Sequence, residues 1–389
     1  MRIQRTYVFA ATLASFALVL AACSNQISTG KGLCRNIGDA AAASVAPPEA
    51  TGTSDLSIGL VTDVGTLDDH NFNQYSWEGA VGGATIIGAP EPGNIVTINS
   101  ADYAANIQSF VDDGANIIIT VGFAIGADTL AAATANPDIH FIGVDQFQFN
   151  DPLPNYESLI YSEAQAGYLA GIVAATISES GVVAAIGGSG TIPPVVNYMR
   201  GYENGVLSVN PDATIILKYV SNDLTVAFND PTTGRSFADE FLGVNTDVDV
   251  MFQVAGKTGN GVLDSAVAAG IYAIGVDVDQ WVSYPSAQVC LVSSAEKKLT
   301  KSVSEAIQGF AAGGDERTGN VFLGAAEGMI GISPFYQFGD LISEDTQAAI
   351  DDAFAGMADG TLDPCLPAHW ESDTGSNCTF GGAEDLGTE

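Results

Sequence analysis

From Asp55 onward the chain alternates short, unbroken apolar runs with segments whose apolar residues recur at helical spacing. Residues 57–61, 95–98, 116–121 and 139–144 predict strands, and 102–113 and 126–135 predict helices, the first with Ser100 as its N-cap. The rhythm restarts at 181–186 and continues through 214–220, 248–254, 272–276 and 289–292. Helices are expected beside them at 195–208, 236–242 and 261–269. Continuous apolar strands separated by helices predict parallel sheets covered on both faces.

The two series share an internal pattern. Residues 116–146 read strand, Val121-Gly122, turn, Ala-rich helix, strand, then Gly143-Val144-Asp145-Gln146. Residues 249–280 read strand, Ala255-Gly256, turn, Ala-rich helix, strand, then Gly275-Val276-Asp277-Val278-Asp279-Gln280. Each half thus ends a buried strand on an Asp at the carboxyl edge, where open α/β sheets bind ligands. The expected fold is α/β, two doubly wound parallel-sheet lobes joined by a hinge. A tandem of unrelated α/β domains is the alternative. Residues 158–177 pass from strand to helix without linker composition, which favours the hinge.

The expected organisation is a signal peptide at 1–22, a lipidated flexible tether at 23–54 and an N-terminal lobe at 55–162 with part of 295–335. A C-terminal lobe follows at 163–294, then a helix and an acidic, Gly-rich tail at 336–389. Arg2 and Arg5 precede an apolar run that ends Leu20-Ala21-Ala22-Cys23. That run falls short of the ~20 residues a bilayer span requires and reads as a secretory signal. Leu-Ala-Ala-Cys resembles the bacterial lipobox, making Cys23 the lipidation candidate and predicting an extracytoplasmic protein held to the membrane only through lipid. Residues 25–54 are rich in Ala, Ser, Gly, Thr and Pro, the composition of a flexible segment.

The formal charge of −34, from 46 acidic and 12 basic residues, is dispersed along the chain. It argues against nucleic-acid binding, which needs clustered Lys and Arg. Of five Cys, Cys34, Cys290, Cys365 and Cys378 remain once Cys23 is set aside, an even number that suits an oxidising compartment. Four allow three pairings; Cys365 with Cys378 is favoured because it would staple the tail. The three His are scattered and no Cys-x-x-Cys occurs, so no metal or cofactor is expected.

Candidate chemistry gathers in residues 62–74, after the first strand and opening a helix: Asp68-Asp69-His70-Asn71-Phe72-Asn73-Gln74. Carboxylates and amides can read the edge of a polar ring while Phe72 stacks on its face. Asp69 and Asn71 equally suit a helix cap with Phe72 in the core. Residues 256–261, Gly-Lys-Thr-Gly-Asn-Gly, match neither a Walker loop nor a dinucleotide fingerprint; they read as a turn permitting close ligand approach.

Asp63-Val64-Gly65, Asp68-Asp69, Phe72-Asn73-Gln74 and Trp77-Glu78-Gly79 together resemble the opening of the basic membrane protein family, ABC-transporter substrate-binding lipoproteins that include a purine nucleoside receptor. Gln165-Ala166-Gly167-Tyr168-Leu169-Ala170-Gly171, Thr258-Gly259-Asn260-Gly261 and residues 275–280 extend the resemblance over roughly residues 56 to 335. It implies a type I periplasmic-binding-protein fold, a nucleoside ligand and ABC permease subunits as partners; the chain itself is expected to be a monomer. Carried over, Phe72 would stack on the base, with Asp69 and Asn73 at its edges and Asp145 assisting. Tyr198 would stack from the second lobe, where relatives often have Phe. Asp277 and Lys297 would hold ribose hydroxyls, with Lys298 one place away, and Gly256 would let the backbone approach. The chain departs from the pattern at Lys257, where small residues are common, and around Tyr198, which lacks the usual neighbouring Arg.

Scattered His and the lack of a Gly-x-Ser-x-Gly elbow offer little to a hydrolase. Capture without catalysis is the expected function; a ligand sensor of the same fold is the alternative, and a nucleoside hydrolase the more remote one.

Overall fold

The computed structural model describes residues 30–44, 46–313, 317–365 and 378. The signal segment, Cys23 and most of the acidic tail lie outside the described residues.

Strand β1 (Ile58–Val64) leads through a polar loop into α1 (Phe72–Ile87), followed by β2 (Gly93–Thr97), α2 (Tyr103–Asp112), β3 (Ile117–Val121), α3 (Gly126–Ala135), β4 (His140–Val144) and β5 (Tyr156–Tyr161). Helix α4 (Glu163–Ile177) opens the second series: β6 (Val182–Gly187), α5 (Pro193–Val209), β7 (Thr214–Tyr219), α6 (Leu224–Asn229), α7 (Pro231–Val244), β8 (Val250–Val254), α8 (Gly256–Ala269), β9 (Tyr272–Asp277), α9 (Gln280–Ser283) and β10 (Leu291–Lys297). The chain then adds α10 (Leu299–Ala311), β11 (Gly319–Leu323), β12 (Ile330–Ile332) and α11 (Glu344–Asp359).

The strands form two six-stranded sheets, ordered β11-β5-β4-β3-β1-β2 and β12-β10-β9-β8-β6-β7. Position for position the lobes repeat one doubly wound order, and only β12, antiparallel to β10, departs from parallel pairing. The Ile- and Val-rich strands β3 and β8 are buried along their whole length, as a sheet with helices on both faces demands. From β1 onward, the described residues cross between lobes three times: at Ser162, at Lys298 and across residues 324–329.

Small residues set the tightest contact. A Cβ on Gly167 would lie 2.3 Å from the Tyr198 carbonyl, and one on Gly205 would lie 2.1 Å from that of Tyr168. Helices α4 and α5 therefore meet backbone to backbone, which seats Tyr198 and Glu163 beneath the cleft.

Several expectations need correction. Ser100 does not cap a helix; it opens a short 3₁₀ turn that Asn99 caps by accepting the Ala101 amide at 2.9 Å. The boundary at 294 cuts through β10, which continues in the second sheet to Lys297. Helix α8 starts at Gly256, so residues 256–261 form its first turns and not a free loop. The flexible tether is also too long as drawn. Cys34 is buried and disulfide-bonded to Cys290, and backbone bonds tie Lys31, Leu33 and Arg35 to Ala269, Gly270 and Val289 of the second lobe. Thr51 and Ser54 bond Ile86 and Gly88 of the first lobe. Composition was misleading because the contacts that fix this segment are long-range. Cys365 and Cys378 form the second disulfide.

Candidate functional site

The carboxyl edges of the two sheets face each other across a shared cavity. Asp69, Phe72, Asn73, Asp145, Tyr198, Gly256, Asp277 and Lys297 all border it. Sequence separations of more than two hundred residues thus close into one site.

At its floor lies the Lys297 ammonium, ending β10 with 3 % of the residue exposed. It stands 2.5 Å from Asp145, 3.2 Å from Glu163 and 3.9 Å from Asp277. The rings of Tyr161, Tyr198 and Phe72 surround it at 5.1, 5.4 and 5.5 Å, within cation–π range. Lys298, the neighbouring alternative, points away to Glu296.

Three acids against one lysine leave an excess of negative charge out of water. Burial pushes the Glu163 carboxyl up to about 7, with repulsion from Asp145 adding to it and Lys297 opposing. Burial likewise raises Asp277 to about 6, and it raises Asp145 against the pull of Lys297. Burial disfavours the lysine cation, yet attraction to Asp145, Glu163 and Asp277 keeps its pKa above the ordinary lysine value.

Asp145 and Asp277 share a backbone device. Each has positive φ, 59° and 62°, where a short polar side chain is tolerated better than a branched one. Each is backed by a buried glutamine. Gln146 Nε2 donates to the carbonyls of Thr120 and Gly122, while Gln280 Oε1 accepts from the Val276 amide and from Gln253. These amides lock the strand ends from which the carboxylates project.

The cap reading of the first loop holds for Asp69 alone. Asp69 Oδ1 accepts the amides of Asn71 and Gln74, and Oδ2 that of Asn73; Asn71 itself makes no side-chain cap. Asp69 thereby satisfies the open amides at the start of α1. Burial raises its pKa, while those amides oppose the shift. Phe72 is half-buried at the cavity wall, and Asn73 Oδ1 and Asp145 Oδ1 are buried acceptors without a protein partner.

Tyr198 departs from its expected role. Its residue is 1 % exposed, its ring meets Phe252 edge-on at 6.2 Å, and its hydroxyl donates to Asp277 at 3.1 Å. The half-buried aromatics at the wall besides Phe72 are Phe123 and Phe228. Phe123 follows Gly122 at the end of β3, a position the carboxyl-edge argument could have flagged. Phe228 sits in the six-residue α6, too short for a periodic signal. Asp63 also borders the cavity, accepting from Tyr103 and from the amides of Val64 and Ala124. Glu163 was legible only as a first-turn acid of α4.

Lys257 reaches across the cleft. Its ammonium donates to Thr66 at 3.0 Å and Asp68 at 2.9 Å, which lowers the Asp68 pKa after the larger effect of the Thr66 hydroxyl.

Two doubly wound lobes meeting across a shared cleft have the architecture of periplasmic-type binding proteins. The model for PnrA-like ABC transporter substrate-binding proteins matches residues 57–353, and the chain belongs to that family. An ABC transporter nucleoside-binding protein, BmpA, of Lactococcus lactis subsp. cremoris (strain MG1363) is 30% identical over 248 residues, covering 60% of this chain and 68% of the relative. Basic membrane protein A of Borreliella burgdorferi (strain ATCC 35210 / DSM 4680 / CIP 102532 / B31) is 30% identical over 229 residues, 57% of this chain and 63% of that protein. Among solved structures, an ABC transporter solute-binding protein from Aeropyrum pernix K1 aligns with TM-score 0.70 at 22% identity, covering 81% of this chain and 94% of its own. One from Conexibacter woesei DSM 14684 aligns with TM-score 0.62 at 22% identity, covering 81% and 100%. These two establish likeness of fold. Membership implies a small-molecule ligand and a transporter permease as partners. No helix among the described residues is long and apolar enough to cross a membrane.

Proposed function

We propose that the protein binds a purine-type nucleoside between its lobes, without turning it over, and presents it as a monomer to an ABC permease. One observation carries this reading: two buried acceptors, Asn73 Oδ1 and Asp145 Oδ1, lack protein partners beside a wall that includes Phe72. An unpaired buried acceptor costs about 1–3 kcal/mol, so a guest bringing N–H and O–H donors is favoured. A flat base on Phe72 would add ~1–3 kcal/mol, and ribose hydroxyls suit Asp277. Asp63, Asp145 and Asp277 at the cavity would disfavour a phosphate, which favours a nucleoside over a nucleotide. The Lactococcus relative's description supports the same ligand class.

Titration calorimetry with inosine, guanosine, their 5′-monophosphates and D-ribose tests this. Saturable binding of a nucleoside with at least a hundredfold preference over its monophosphate is expected, and no free base should form on incubation. Equal affinity for the nucleotide would refute the assignment. The segment Leu20-Ala21-Ala22-Cys23 supports lipid anchoring at Cys23. Labelled palmitate should enter the wild type in a bacterial host and fail to enter Cys23→Ser.

A further inference from the structure

Three side chains of the second lobe land on one loop of the first, residues 66–70, between β1 and α1. Lys257 holds Thr66 and Asp68 at the rim, and Ser283 Oγ donates to the His70 carbonyl at 2.7 Å. The third, Asn260, lies deeper at 3 % exposure, and its Nδ2 donates to the Asp69 carbonyl at 3.0 Å.

Asn260 sits midway in a continuous chain of hydrogen bonds. On its own lobe its oxygen accepts from Gln280 Nε2 at 3.3 Å, and Gln280 Oε1 accepts the Val276 amide at 3.1 Å, one residue before Asp277. On the other lobe, the residue whose carbonyl it holds is the same Asp69 whose carboxylate caps α1 and sets out Phe72 and Asn73. His70, next in the loop, has φ 59°, a conformation that needs support from its surroundings. Parting of the lobes would break the Asn260–Asp69 bond and release the loop from the second lobe. A bond made only in the closed state shifts the population toward that state.

We infer that Asn260 is a positioning residue, the amide that seats the Asp69 loop as the lobes close and so sets Phe72 and Asn73 against the guest. The ligand arm of this inference rests on the nucleoside reading above; the closure arm does not.

Asn260→Asp separates the two sides of the residue. It keeps an oxygen for Gln280 but sets a second acceptor against the Asp69 carbonyl. The experiment places a bio-orthogonal fluorophore pair at Gln108 and Glu240, one on each lobe, and reads the closed-to-open ratio by single-molecule energy transfer, with and without inosine. Stopped flow gives the inosine rates. In N260D the ratio should fall about tenfold in both conditions, and inosine should leave about tenfold faster with its association rate within twofold. The melting temperature should stay within a few degrees, and Ser283→Ala should change the ratio less than threefold. A wild-type ratio in N260D overturns the inference, as does an equal effect from Ser283→Ala. A wild type indifferent to inosine, with the N260D shift in ratio intact, overturns the nucleoside reading and upholds the role of Asn260.

Discussion

The two lobes repeat one strand order and one strained aspartate, yet they equip the cleft differently. Asp145 of the first lobe forms the short bond to Lys297 and leaves its other oxygen unpartnered. Asp277 of the second lobe lies farther from the ammonium and takes the Tyr198 hydroxyl. The aromatic and amide groups Phe72 and Asn73 belong to the first lobe, the cation Lys297 to the second. Duplicated backbone geometry fixes where a carboxylate stands; the side chains packed around it decide what it does.

The sharpest way to break that contrast is to remove the cation both aspartates share. Lys297→Met leaves three acids facing one another, and losing one partner of a buried ion pair typically costs about 3–5 kcal/mol. We expect a clear fall in melting temperature and loss of nucleoside binding beyond hundredfold, read by calorimetry. Retained affinity would remove Lys297 from the site. Next in size is Phe72→Ala, expected to weaken binding about 5- to 150-fold, from the ~1–3 kcal/mol of one stacked base, with the melting temperature nearly unchanged. Wild-type affinity would show that the first lobe's aromatic face is not the stacking wall.

A third test uses pH. Glu163 rises from 4.5 unfolded to about 7 folded, and Asp277 from 3.8 to about 6. Across those windows the folded protein holds more protons than the unfolded chain, so stability falls as pH rises. The melting temperature should decline between about pH 4 and 7, and Glu163→Gln should flatten the upper part of that decline. A slope unaltered in the variant would place the titration elsewhere on this acidic chain. Smallest is Lys257→Met at the rim. Its partner Asp68 is well exposed, and pairs of that kind are worth about 0.2–1 kcal/mol. Affinity should weaken about 1.5- to 5-fold at low salt and match the wild type in 1 M salt. A deficit that persists at high salt would argue against an electrostatic role.

The fold was legible wherever a buried strand left an unbroken apolar run, and Asp145 and Asp277 were legible because they end such strands. Phe228 was not, since a six-residue helix after β7 carries no periodic pattern. Tyr198 borders the cavity, but its hydroxyl bond to Asp277 was not legible, because sequence does not say which side of an aromatic faces a cleft. Its burial follows from the backbone-close contact of α4 with α5, a pairwise property that neither helix reveals alone. Cys34 gave no hint of Cys290, 256 residues away, inside a segment whose composition looked unstructured.

That same segment has a mechanical consequence. Arg35 is pinned to one lobe and Thr51 to the other, making a fourth covalent link beside the three at the hinge. Sixteen peptide steps reach at most roughly 55 Å when fully drawn out. The travel of one lobe away from the other therefore has a built-in stop, and the Cys34–Cys290 bond anchors one end of it.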